Sequence, residues 1–253
     1  MFKFIIPTYK RHKVLLEKTL KYLEKTDIDF NNVYIYVANE EEKKLYEENI
    51  PKKYYKEIVV GLRGIPQQRN FIYRTHPIGE RIFMMDDDIK SLVRLPKGTL
   101  VTNLTEEIDK AFDLCEELGL KYWGFYLNTN PLNYKVPYSV GLYYISGNSI
   151  GTINNDKVFR DEGEECPSRK DYRCGKESHE MCLKHFQEYK GVLRVNYIGV
   201  ESEYWKTEGG HQVSRTNEGE KEASEWLHKK FPRHTKLIIR KSGIYDLQFV
   251  NRR

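Results

Sequence analysis

Four short apolar runs, separated by helical patterns, constrain this chain more than any other feature. Phe4-Ile5-Ile6 ends at Pro7, and Val33-Tyr34-Ile35-Tyr36-Val37, Ile58-Val59-Val60 and Ile82-Phe83-Met84-Met85 follow in order. Between the first two, Leu16, Leu20 and Leu23 recur at helical spacing along residues 12–25. Glu40 to Glu48 is a charged helical stretch, and a further helix is expected across Gln67 to Tyr73. Such βαβα alternation predicts an α/β fold with a mostly parallel, mixed sheet flanked by helices.

The second half is less regular. Ile108, Ala111, Phe112, Cys115 and Leu118 form one apolar helical stripe stopped by Gly119. Tyr122 to Leu127 and Val140 to Ile150 read as strands across an Asn/Pro-rich connection. A helix from Glu177 to Tyr189 ends near Gly191 and precedes a strand from Val192 to Ile198. No repeat or low-complexity linker divides the chain, so residues 1–253 are expected to form a single domain. The 39% hydrophobic and 31% charged fractions exclude a disordered chain. No apolar run approaches the roughly 20 residues that cross a bilayer. The apolar part of the N-terminus is too short for a signal peptide, which leads us to expect a cytoplasmic protein.

The fourth apolar run leads directly into Asp86-Asp87-Asp88. Side chains two apart at a strand end share a side, so Asp86 and Asp88 face one site while Asp87 points elsewhere or caps the turn. Carboxylates suit hard cations, with Mg²⁺ or Mn²⁺ the natural choices beside a diphosphate. The C-terminal edge of a buried strand is where open α/β sheets bind ligands. The bland alternative is a solvated acidic turn. Cys166, Cys174 and Cys182 lie near His179 and His185, but with no Cys-x-x-Cys pair the zinc pattern is poor and reduced cysteines are expected. From Leu227 to Arg253, eight Lys or Arg stand against the single acid Asp246. Such a segment suits a polyanion such as nucleic acid, or simply a solvated face.

Four stretches together resemble a known family: Ile6-Pro7-Thr8-Tyr9-Lys10-Arg11, Val37-Ala38-Asn39-Glu40, Gly64-Ile65-Pro66-Gln67-Gln68-Arg69-Asn70 and Met85-Asp86-Asp87-Asp88-Ile89. In this order they are similar to the GT-A glycosyltransferases, and in particular to the TET-associated glycosyltransferases of phages and large viruses. The resemblance implies a Rossmann-like nucleotide-sugar-binding half over residues 1–95 and an acceptor-binding half over 96–253, which carries the basic C-terminal segment. For a viral protein the setting would be the host cytoplasm. Pro7, Thr8, Tyr9 and Arg11 would line base and ribose, and Glu40 would reach the same groups. Arg69 would approach the diphosphate or brace the aspartates. Asp86 would contact ribose and metal, and Asp88 the metal.

The resemblance weakens further on. Glu177-Ser178-His179-Glu180-Met181 opens a helix where the family often carries a Glu-Asp pair, and Ser178 stands at the second position. Glu177 or Glu180 would be the catalytic base, with Glu164 and Glu165 as nearby alternatives. Acids in a first helical turn also stabilise the helix dipole without any catalytic task. His211, after Gly209-Gly210, would complete the metal or diphosphate site, with Arg215 reaching a phosphate. The implied reaction moves a sugar from a UDP-sugar, with Mn²⁺ or Mg²⁺, to a hydroxyl, hydroxymethylated cytosine in DNA above all. Tyr204 and Trp205 would stack on an exposed base. Three alternatives remain open at this point: a glycan or protein acceptor, a nucleotidyltransferase, and a DNA-binding or scaffold module on an inactive transferase fold.

Overall fold

The computed structural model describes residues 1–163, 166–202, 214–240 and 243–250. In chain order, β1 (Lys3–Pro7) is followed by helix α1, which joins α-helical His12–Leu15, a π-helical turn Leu16–Leu20 and α-helical Lys21–Leu23. Next come β2 (Val33–Val37), α2 (Glu40–Asn49), β3 (Glu57–Val60), α3 (Ile65–Thr75) and β4 (Arg81–Met85). Strands β5 (Ile89–Arg94) and β6 (Thr99–Leu100), helix α4 (Leu104–Glu117) and strand β7 (Tyr122–Tyr126) continue the chain. The remainder holds β8 (Tyr138–Gly141), β9 (Ser149–Ile153), α5 (Pro167–Lys170), α6 (Glu177–Tyr189), β10 (Val192–Ser202), α7 (Asn217–Lys230) and a hairpin of β11 (Thr235–Ile239) and β12 (Tyr245–Phe249).

The main sheet has the order β3-β2-β1-β4-β9-β7-β10-β5-β6, with β8 also on β10. The first four strands are parallel, and β9 then enters antiparallel between β4 and β7. From β1 the chain steps outward to β2 and β3, then returns to place β4 on the other side of β1. The loops after β1 and β4 therefore diverge at a topological switch point, where such sheets open a crevice beyond their carboxyl ends.

Strand alternation builds the two faces of the core. Phe4, Ile6, Phe83 and Met85 pack on one face with α1 and α4, among them Leu15, Leu20, Ile108 and Phe112. Ile5, Ile82 and Met84 pack on the other, with Ile72 and Tyr73 of α3 and Met181 and Cys182 of α6. Each fully buried side chain of this size contributes about 1.5–3 kcal/mol of transfer free energy. That burial holds the strand ends, and so the loops they carry, in fixed register.

One expectation needs correction. The Val140–Ile150 stretch is not one strand: it belongs to β8, which ends at Gly141 (φ +129°), and β9, which begins at Ser149. The connection between them carries Leu142, Tyr143, Tyr144 and Asn148 to the cleft described below. The described residues of the basic C-terminal segment hold the last turn of α7 and the β11–β12 hairpin, with Leu227, Phe231 and Leu247 buried against Leu142 and Leu183.

Candidate active site

A cleft of about 960 Å³ opens at the switch point. It receives Pro7, Thr8, Tyr9 and Arg11 from the loop after β1, Asp86, Asp87 and Asp88 from the turn after β4, and Arg69 from α3. The first turn of α6 adds Glu177, Ser178 and His179, and the hairpin adds Arg240 and Asp246.

Arg69 is the hinge of the polar network. It is 1% exposed. Its Nη2 donates to Asp86 Oδ1 at 2.9 Å and to the Gly147 carbonyl at 2.6 Å, and its Nη1 donates to Glu177 Oε1 at 3.1 Å. One guanidinium thus ties the aspartate turn to the first turn of α6. The three aspartates divide their tasks. Asp87 turns inward (4% exposed), accepting from Thr8 Oγ1 at 2.6 Å and Arg11 Nη1 at 3.1 Å, while Asp88 Oδ2 lies 3.4 Å from the same Arg11 nitrogen. Thr8 Oγ1 also bonds the Tyr46 hydroxyl at 2.8 Å, and that hydroxyl accepts from the Arg11 amide at 2.9 Å. Burial pushes the Asp86 carboxyl up to about 7, with Arg69 opposing and Asp88 and Asp87 adding repulsion. Burial likewise pushes Asp87 up to about 6 against Arg11. Arg69 and Arg11 face the turn, and the carboxylate oxygens of Asp86 and Asp88 are hard donors of the kind that Mg²⁺ or Mn²⁺ takes.

Ser178, the departure from the family pattern, has a definite place. Its hydroxyl accepts from the Gly147 amide at 3.0 Å and donates to Glu177 Oε1 at 3.1 Å. Glu177 is therefore held from two sides on the cleft wall. Glu180 is not on the cleft, which corrects its candidacy as a base. Its carboxylate is 0% exposed and pairs with Arg169, with Lys184 Nζ at 2.6 Å and with the Asp161 amide at 3.1 Å. Glu40 is a second correction: it is exposed on the first turn of α2 and does not line the cleft. Two positions later, Glu42 accepts from the Lys10 amide at 2.8 Å and the Ala38 amide at 3.3 Å, bracing the loop after β1. Arg215 lines the cleft, with Nε on Glu220 Oε1 at 2.7 Å. His211, Tyr204, Trp205, Glu164 and Glu165 lie outside the described residues.

The sequence pattern alone did not point to several cleft residues. Arg63 lies over the rings of Tyr9 and Tyr172, 5.5 and 4.9 Å from their centroids. Lys176 adopts a left-handed backbone (φ +68°) and buries its ammonium 2.5 Å from Asp246 Oδ1 and 3.1 Å from Glu220 Oε2. Asp246, the lone acid of the basic segment, thereby fastens the hairpin to the start of α6. His179 rests against Tyr144, centroids 4.6 Å apart, and burial pushes its imidazole down to about 4. Only the acid standing alone in the basic segment offered a sequence signal. Among the described residues no helix is long and apolar enough to cross a membrane.

The model of the TET-Associated Glycosyltransferase family matches residues 2–128, half of the chain. Among solved structures, the chain is similar to residues 1–349 of S. aureus TarS at 14% identity and a TM-score of 0.50, covering 92% of this chain and 72% of that one. The longer S. aureus TarS structure matches at 13% identity and a TM-score of 0.50, over 92% of this chain and 44% of that one. No curated protein matches in sequence. The likeness to TarS shows the shared fold, that of GT-A glycosyltransferases. A parallel switch point with an aspartate turn at its mouth, together with the matched family model, places this chain in the TET-associated glycosyltransferase family, and it is a glycosyltransferase.

Proposed function

We propose that this glycosyltransferase moves a sugar from a UDP-sugar to a hydroxyl acceptor, with hydroxymethylated cytosine in DNA as the acceptor. Residues 1–95 form the donor-binding half and residues 96–253 the acceptor half with its basic C-terminal segment. The single observation that carries the reading is the aspartate turn at the switch point, its carboxyls raised by burial and by one another, beside Arg69. Asp86 and Asp88 would hold Mn²⁺ or Mg²⁺, which when bound would supply positive charge to the departing diphosphate.

The chain's own groups do the rest. Pro7, Thr8, Tyr9 and Arg11 bind the nucleoside end, with Arg63 capping it from over Tyr9. Arg69, fixed by burial and by carboxylates on both sides, supplies a preorganised positive charge at the diphosphate. Glu177, oriented by Arg69 and Ser178, takes the proton of the attacking hydroxyl. The family and the basic hairpin, whose Arg240 lines the cleft, support a DNA acceptor.

The test incubates the protein with a panel of nucleotide sugars, Mn²⁺ and hydroxymethylated DNA, with a glycan and a protein acceptor in parallel, and weighs the products. We expect hydroxymethylated deoxycytidine to gain the mass of one sugar. Asp86→Ala, Asp88→Ala or a chelator should abolish that gain. Transfer only to the glycan or protein would reject the DNA acceptor. Pyrophosphate release from a nucleoside triphosphate, with no transfer from any donor, would reject the proposed reaction.

A further inference from the structure

Helix α1 passes directly beneath the aspartate turn, and at that point its winding changes. Leu16–Leu20 form a π-helical turn, a wider winding that is rare in helices and often marks functional sites. Thr19 lies in this turn and is 0% exposed. Its hydroxyl donates to the Asp86 carbonyl at 2.8 Å and accepts from the Ile89 amide at 3.0 Å. These two backbone groups are the ends of the tight turn that has Asp87 and Asp88 at its centre. A hydroxyl offers one donor and two acceptor sites, so a single side chain closes both ends of the loop from below. From above, the Asp86 amide donates to the Asn148 carbonyl at 2.9 Å.

We infer that Thr19 is a positioning residue: its hydroxyl sets the backbone of the aspartate turn and through it the spacing of the Asp86 and Asp88 carboxylates. The inference rests on the reading of those carboxylates as cation ligands. Among the described residues the Thr19 hydroxyl bonds only backbone atoms, and Thr19 does not line the cleft. A coordination site depends on where its ligands point, and groups that orient ligands typically change metal affinity by about 10–100-fold when removed. Valine has nearly the shape of threonine but neither donates nor accepts, so Thr19→Val releases both ends of the turn while keeping the methyl packing. Thr19→Ser keeps the hydroxyl and gives up the methyl.

The decisive measurement is Mn²⁺ binding in the presence of UDP, followed by the electron paramagnetic resonance signal of free Mn²⁺. It is made on wild type, Thr19→Val and Thr19→Ser, alongside the urea midpoint of each. We expect Thr19→Val, in urea-free buffer where it is fully folded, to bind Mn²⁺ about ten-fold more weakly, and Thr19→Ser to stay within about two-fold of wild type. Wild-type affinity in Thr19→Val would overturn the inference and leave the metal reading standing. A wild type that binds no Mn²⁺ with UDP would overturn both, and that outcome is distinct because it shows before any variant is made. Should Thr19→Val not fold, the serine variant decides: near-wild-type affinity supports the hydroxyl, and a ten-fold loss assigns the effect to packing and overturns it.

Discussion

Replacing Glu180 by glutamine should cost stability and leave transfer intact, because the carboxylate lies under the site and not in it. Its oxygens receive Arg169, Lys184 and the Asp161 amide, and neither it nor the Arg169 side chain reaches solvent. Burial by itself would raise the Glu180 carboxyl, but Arg169 and Lys184 hold it below its ordinary value. In Glu180→Gln, Lys184 is 23% exposed and can turn to water, whereas Arg169 keeps a buried charge without the carboxylate it pairs with. Breaking a buried pair from one side costs about 3–5 kcal/mol. With a urea slope of about 3 kcal/mol per molar, the unfolding midpoint should fall by about 1–1.7 M. A domain holds about 5–15 kcal/mol in total, so the variant is assayed well below its melting temperature. Under those conditions transfer should remain within about two-fold of wild type. In Glu177→Gln transfer should fall by about 10²-fold or more, the scale of a lost general base. An unchanged midpoint with a hundred-fold loss of transfer in Glu180→Gln would return the catalytic role to Glu180 and refute the assignment.

Two further outcomes follow from burial and close packing. Burial pushes His185 down to about 3 from an ordinary 6.5; it is stacked on Tyr122 with its Nδ1 2.9 Å from the Met181 carbonyl. Because the unfolded chain binds this proton more readily, its stabilisation is complete above pH 6.5 and fades as pH falls toward 3, by about 1.4 kcal/mol per pH unit. Urea unfolding of His185→Phe should therefore lose about 2 kcal/mol less than wild type between pH 6.5 and pH 5, and parallel losses in both proteins would count against a buried neutral imidazole. A Cβ on Gly147 would meet Arg69 Nη1 at 2.2 Å. Gly147→Ala should displace the guanidinium from Asp86 and Glu177, costing about 1–3 kcal/mol of stability in a denaturant titration. UDP affinity should fall as well, and unchanged affinity would mean that Arg69 is not needed where it stands.

The first four strands were legible because each is a short apolar run, the first three followed by helical patterns and the fourth by the aspartates, and burial on both faces leaves such runs little freedom. The aspartate turn was legible for the same reason: three charges can end a buried strand only where the sheet opens. Other features are set by partners far apart in sequence. Glu40 and Glu42 both open a charged helix, and only the path of the loop after β1 decides that Glu42 receives the Lys10 and Ala38 amides. Glu177 and Glu180 share one helical turn, and the choice between them is made by Arg69 on one side and Arg169 on the other. The continuous β-rich stretch from Val140 to Ile150 hid a break, since Gly141 (φ +129°) ends one strand and the next pairs elsewhere in the sheet.

The distribution of charge in the cleft explains why so many of its groups are held from behind. Asp86, Asp87 and Asp88 repel one another at close range, with Arg69 against Asp86 and Arg11 against Asp87 and Asp88. Left to themselves, carboxylates so placed would swing apart or take up protons, and either would spoil a cation site. The fold prevents the first with contacts that carry no net charge: Thr8 on Asp87, Thr19 on the two ends of the turn, and the Asn148 carbonyl on the Asp86 amide. More arginines would have relieved the repulsion, but they would also have neutralised the turn and removed its attraction for a divalent cation. Neutral hydroxyls restrain the backbone and leave the excess negative charge in place. If the turn holds a cation as proposed, the repulsion among the three aspartates would be the source of its affinity, and the threonines would be what allows the folded chain to sustain it.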